Sequence, residues 1–173
     1  MKPTNPDGSG RPRVAIVYGS PSDEPTISKA GATLERFGVH YEQVSISAHR
    51  APRALADYVG QLRARNVAVV IAGAGLSAAL PGAVAALTTL PVIGVPIAAG
   101  SLRGVDSMLA IAQMPPGVPV ATVGIDNSTN AAILAVQILA LNDADLRLQL
   151  AAFKDNFERE ATDRLTDNAG TAL

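Results

Sequence analysis

Short apolar runs recur through this chain, each followed by a stretch with helical spacing, and this alternation most constrains the fold. Val14-Ala15-Ile16-Val17-Tyr18 is apolar at consecutive positions and stops at Gly19. Such a run reads as a strand buried on both faces, because a half-exposed strand would alternate. Further strands are predicted over 41–46, 67–72, 91–95 and 120–123. Helices are predicted over 26–37, 53–65, 78–88, 106–113, 130–141 and 143–164. Asp23 is the expected N-cap of the first, with Pro25 in its first turn and Gly38 as its stop.

Strand–helix alternation with apolar strands predicts an α/β chain, a three-layer α/β/α sandwich around a central parallel sheet, flavodoxin- or Rossmann-like. The 173 residues suit a single domain. Residues 1–12 lack anything to bury and are expected to form a disordered leader, followed by one catalytic domain over 13–165 and a frayed tail over 166–173. The apolar stretch from Val67 to Leu102 is broken repeatedly by Gly and Pro, so it reads as buried strands and turns instead of a membrane span. With no secretory signal pattern, the expected location is the cytoplasm.

Charge narrows the partners. The chain carries 14 Lys+Arg against 15 Asp+Glu, a net charge of −1, with three Phe, three Tyr and no Trp. Nucleic acid needs concentrated Lys/Arg or a stacking platform, and neither is present. The absence of Cys excludes disulfides, thiolate metal sites and a cysteine nucleophile. Charged residues make up 17%, below the usual level of about 25%. A chain this weakly charged is suited to hiding surface in an oligomer.

In open parallel sheets, ligands bind beyond the carboxyl ends of the strands. Three unusual loops fall at those ends. Gly19-Ser20-Pro21-Ser22-Asp23 offers hydroxyls and backbone amides at a helix start, which suits a phosphate or sugar, but also suits a tight capped turn. It is neither a Walker A sequence nor GxGxxG. Ser47-Ala48-His49-Arg50 places a proton-transfer group beside a bidentate anion ligand. His40, at a strand entrance, reads as structural. Gly73-Ala74-Gly75-Leu76-Ser77 permits either close backbone approach by a ligand or close helix packing. Ser20 or Ser47 with His49 lacks the GxSxG elbow of a serine hydrolase, and no HExxH or Cys/His metal cluster occurs. The expectation is one site built from three loops at one sheet edge.

These blocks, in this order, resemble the PurE family, the catalytic subunit of phosphoribosylaminoimidazole carboxylase. The resemblance covers roughly residues 13–160. It runs through Gly19-Ser20-Pro21-Ser22-Asp23, Ser47-Ala48-His49-Arg50, Ile71-Ala72-Gly73-Ala74-Gly75, Leu80-Pro81-Gly82, Gly104-Val105-Asp106-Ser107, Gln113-Met114-Pro115 and Asn127-Ser128-Thr129-Asn130-Ala131. It implies a homo-octameric mutase of purine biosynthesis, without cofactor or metal. Such an enzyme moves a carboxyl group from the exocyclic nitrogen of 5-carboxyaminoimidazole ribonucleotide to carbon 4, through trapped carbon dioxide. By the resemblance, His49 is the catalytic acid/base. Ser20, Ser22 and Asp23 hold ribose and phosphate, and Arg50 holds the phosphate. Ser47, Ala48, Gly73 and Ala74 line the imidazole and carboxylate pocket, with Gly19, Gly75, Leu76 and Ser77 completing the substrate-binding set.

The chain also departs from that family. Its third loop usually reads Gly-Ala-Gly-Gly-Ala-Ala-His-Leu-Pro-Gly. Here Leu76 stands for a glycine, Ser77 for an alanine and Ala79 for the histidine. Ala98 and Ala99 replace a Gln-Ser pair, Asp126 replaces a common glycine, and Glu24 replaces an often large apolar residue. These changes gather at the expected pocket. They raise an alternative, a PurE-like decarboxylase or carboxylase acting on another azole nucleotide; a non-catalytic nucleotide-binding module is a third reading.

Overall fold

A computed structural model describes residues 13–170. The leader expected over 1–12 and residues 171–173 lie outside the described residues. Five strands, β1 (Val14–Tyr18), β2 (Tyr41–Ser45), β3 (Val69–Gly75), β4 (Val92–Ile97) and β5 (Ala121–Thr122), form one parallel sheet in the order β2-β1-β3-β4-β5. Six helices accompany them: α1 (Glu24–Arg36), α2 (Pro52–Gly60), α3 (Ala79–Leu87), α4 (Val105–Ala112), α5 (Ser128–Ala140) and α6 (Ala144–Gly170). This is the α/β/α sandwich that the alternation predicts.

The continuous apolar runs are explained by two cores. Successive strand residues point to opposite faces. On β1, Val14, Ile16 and Tyr18 pack with Ile27 and Leu34 of α1 and with Ala132 and Val136 of α5. Ala15 and Val17 pack with Leu55 of α2, Val84 of α3 and Ile111 of α4. Each large side chain fully buried this way stabilises the fold by about 1.5–3 kcal/mol. The edge strand β2 is only half-buried and carries Glu42, whose carboxylate accepts hydrogen bonds from Tyr58 at 2.6 Å and from Arg65 at 2.8 Å.

Three boundaries differ from the sequence expectation. Gly73-Ala74-Gly75 completes β3 instead of turning out of it. Gly73 pairs with Tyr18 on one side and Val95 on the other. Helix α2 stops at Gly60, and residues 61–66 wind on as turns to Asn66, which has φ 70°. Glycine disfavours continuation of a helix. Helix α6 runs on to Gly170, through part of the tail expected to fray.

Two ties join parts of the fold that are far apart in sequence. The Ser128 hydroxyl donates to the Thr26 carbonyl at 2.5 Å, joining the first turns of α5 and α1. Arg13, just ahead of β1, pairs with Asp143 at the start of α6. His40 stands ahead of β2, away from the strands' carboxyl ends, and its Nε2 is buried with no partner among the described residues. No described helix is long and apolar enough to cross a membrane.

Candidate active site

In this strand order the chain moves to one side of β1 for β2 and to the other for β3, so the loops after β1 and β3 diverge and leave a crevice. A cleft of about 460 Å³ opens there. Of the residues expected in the site, Gly19, Ser20, Ser22, Asp23, Ser47, Ala48, His49, Arg50, Ala74, Gly75, Leu76 and Ser77 all line it. Gly73 does not. It lies inside the sheet, and its missing side chain is the space that Ile27 of α1 fills. Its carbonyl still orders the site, accepting the Gly19 N–H at 3.3 Å.

The loop after β1 is held by its own hydroxyls. Ser20, extended at φ −151°, caps a short 3-10 turn over Pro21–Asp23 by accepting the Ser22 N–H. The Ser22 hydroxyl lies 2.9 Å from Ser20 Oγ and 3.3 Å from Asp23 Oδ1. Asp23 occupies the N-cap position of α1, as its place in the sequence suggests, but its side chain makes no capping bond. Its carboxylate is given to the loop instead. Burial pushes that carboxyl above its ordinary value, against the pull of hydrogen bonds from Ser22 and from the Ser20 backbone.

After β2, Ile46 N–H still donates to the Tyr18 carbonyl at 2.9 Å, and the chain then turns. The Ala51 N–H donates to the Ser47 carbonyl at 2.9 Å, and the Arg50 N–H to Ser47 Oγ at 3.3 Å. Ser47 is thus a turn-former as well as a lining residue. Pro52, which cannot donate, opens α2 at the position where no donor is needed. This turn presents His49 and Arg50 exposed at the cleft, free to meet a ligand.

The loop after β3 bends through two left-handed residues, Leu76 at φ 56° and Ala78 at φ 40°, before α3 begins without a side-chain cap. Ala78, Ala79, Leu80 and Ala99 also line the cleft. Ala79 and Ala99 are visible in sequence as departures from the family pattern. Ala78 and Leu80 carry no such signal. Among the described residues no group of three or more His, Asp or Glu is arranged to hold a metal ion.

The cleft is therefore two-sided. Hydroxyls, a carboxylate, an imidazole and a guanidinium come from the loops after β1 and β2, while the loops after β3 and β4 supply mostly alkyl groups. Residues 13–160 match the family described as AIR carboxylase. The chain belongs to the AIR carboxylase family. Within it, the chain is 49% identical over 150 residues to N5-carboxyaminoimidazole ribonucleotide mutase of Pyrococcus abyssi, covering 87% of this chain and 86% of that one. It is also 49% identical over 150 residues to phosphoribosylaminoimidazole carboxylase of Saccharomyces cerevisiae, covering 87% of this chain and 26% of that longer protein. A crystal structure of Treponema denticola PurE superposes with a TM-score of 0.80 at 29% identity, covering 94% of this chain and all of that one. The AIR carboxylase match spans every loop of the cleft.

Proposed function

We propose that this chain is an N5-carboxyaminoimidazole ribonucleotide mutase, moving a carboxyl group from the exocyclic nitrogen to carbon 4 of an aminoimidazole ribonucleotide in purine biosynthesis. The observation that carries the reading is the meeting of His49, Arg50 and the Ser20–Asp23 loop at one cleft. They do so in a chain 49% identical to a mutase across most of both proteins.

In this reading Arg50 and the amides of the Ser20 turn hold the 5′-phosphate. Asp23 and Ser22 accept and donate to the ribose hydroxyls. The bond between nitrogen and the carboxyl carbon breaks, its electron pair stays on nitrogen, and neutral carbon dioxide is released into the cleft. Carbon 4 then attacks the carbon dioxide with its ring π pair, and the proton on carbon 4 leaves. One group that first gives and then takes a proton serves both halves, and His49 is the residue at the cleft suited to that near neutral pH. Holding the two fragments together replaces an encounter in solution by a reaction at high effective concentration. The protein acts as a homo-octamer in the cytoplasm, and the exposed apolar side chains Leu102, in the turn ahead of α4, and Val105, Met108 and Leu109, on α4 itself, support burial between copies.

The alternative, a decarboxylase or carboxylase on another azole nucleotide, is favoured by Leu76, Ala79 and Ala99 at the cleft. Assay of the purified protein with carboxyaminoimidazole ribonucleotide decides between them. Conversion to the C4-carboxylated isomer supports the mutase. A folded protein that leaves this substrate untouched, or turns over a different azole nucleotide faster, rejects it.

A further inference from the structure

The loops after β3 and β4 interlock through two missing side chains. A Cβ on Gly75 would lie 3.1 Å from Ala99 Cβ, and a Cβ on Gly100 would lie 2.8 Å from Leu76 Cδ2. Each loop lacks a side chain where the other presents one. Leu76 therefore reaches from the end of β3 onto the loop that follows β4. It is 54% exposed, so it roofs the cleft instead of filling it.

A third residue fixes the far side of this contact. The Asp126 N–H donates to the Pro96 carbonyl at 2.8 Å, and the Asp126 carboxylate accepts the Ala98 N–H at 2.9 Å. This clamp bridges 28 residues and holds the chain just before Ala99 and Gly100. Both Leu76 and Asp126 adopt left-handed backbone, at φ 56° and 57°. That conformation costs a non-glycine residue of order 1 kcal/mol, and glycine would adopt it freely. Side chains at two such positions, where the family usually carries glycine, mark this wall as rebuilt in this chain, beside Ala79 and Ala99, which replace polar family residues.

We propose that Leu76, seated on Gly100 and held in place by the Asp126 clamp, is a specificity-determining residue that closes the alkyl half of the cleft over the migrating carboxyl group. There it retains carbon dioxide between bond breaking and bond making. This rests on the mutase reading above. Between the two steps the one-carbon fragment is neutral and apolar, with its former bonding pair left on nitrogen. The hydroxyls across the cleft offer it little, whereas a wall of Ala74, Ala79, Leu80 and Ala99 under the Leu76 roof excludes the water into which it would escape. The ribonucleotide's phosphate and sugar stay on the polar side. Leu76 thus governs what becomes of the carboxyl group, not whether the nucleotide binds.

The test follows unlabelled carboxyaminoimidazole ribonucleotide in buffer containing ¹³C-bicarbonate. Wild-type protein consumes it and forms product with little label. Leu76→Gly, which relieves the backbone and leaves the melting temperature unchanged or higher, still consumes it. That variant releases free aminoimidazole ribonucleotide, with label in the product about tenfold higher. Leu76→Ala behaves likewise. Asp126→Gly shows the same leak, and Asp126→Asn, which keeps an acceptor for the Ala98 N–H, restores retention. Consumption by wild type with an unchanged product fraction and unchanged label in both Leu76 variants overturns the role of Leu76 alone. Equal leakage from Asp126→Asn and Asp126→Gly overturns the clamp. Failure of wild type to consume the substrate overturns the mutase reading and this inference with it.

Discussion

Arg13 Nη1 donates to Asp143 Oδ2 at 2.8 Å across 130 residues of chain, tying the residue ahead of β1 to the start of the last helix. The other oxygen, Oδ1, accepts the Leu146 N–H at 3.1 Å, so one carboxylate serves as both ion-pair partner and helix cap. Burial pushes the Asp143 carboxyl up. The hydrogen bonds from Arg13 and Leu146, the Arg13 charge and the Asp145 N–H together outweigh burial and hold it below the ordinary carboxylate value. A carboxyl lowered in the folded state contributes stability that is fully present above its unfolded value, about 3.9, and lost as pH falls through the folded one. Arg13→Ala should therefore lower stability at pH 7 by about 2 kcal/mol, or roughly 4–8 °C. The gap to wild type should close at the acid end, below the folded value. Thermal unfolding followed by circular dichroism across that range checks both halves.

Asp23 has the opposite sign. Burial raises its carboxyl, so the folded protein holds that proton more tightly than the unfolded chain does. Stability from this group is lost as pH rises through the window between the two values. Asp23→Asn should melt higher than wild type at pH 7, with the difference shrinking toward zero below the unfolded value, and should bind the ribonucleotide more weakly. A variant that melts lower at pH 7 and binds as well as wild type would show that the carboxylate serves the fold and not the ligand.

His49 is exposed on a turn ordered by Ser47, so it can be replaced without disturbing a core. His49→Asn should keep the wild-type melting temperature and lose about 10²–10⁴-fold in kcat. Steady-state kinetics beside a melting curve measure the two independently. Retained turnover removes His49 from the acid/base role.

Gly73 tests the sheet beneath the cleft. A methyl group there collides with Ile27 of α1 and meets Ile97 Cδ1 at 3.3 Å. Gly73→Ala should cost about 1–3 kcal/mol. Because α1 follows directly on the Ser20–Asp23 turn, the displacement should also raise KM. The cost is read from denaturant midpoints, and the effect on the site from the KM.

The contrast between Gly73 and Ala15 shows what was legible beforehand. Ala15 lies in a run whose every member is apolar, and burial on both faces follows from that pattern alone. Gly73 carries no side chain to report its surroundings. A glycine ending a turn and a glycine admitting Ile27 have the same letter, so the end of β3 was readable only once α1 was in place. The loops after β1 and β2 were legible because hydroxyls, imidazole and guanidinium declare their chemistry in any fold. The wall built by Leu76, Ala99, Gly100 and Asp126 was legible only as a set of departures. Its geometry depends on contacts between residues more than twenty apart, and on left-handed backbone that neither leucine nor aspartate advertises.

Among the described residues lining the cleft, Arg50 is the one guanidinium, and no lysine accompanies it. A single phosphate monoester brings about −1.5 to −2 charges. Arg50 and a few backbone amides can balance that much, with Asp23 nearby already adding negative charge. Every additional phosphate would bring charge that nothing in this cleft neutralises. The scarcity of cations would thus act as a filter in its own right, matched to one phosphate monoester and set against any ligand that carries more.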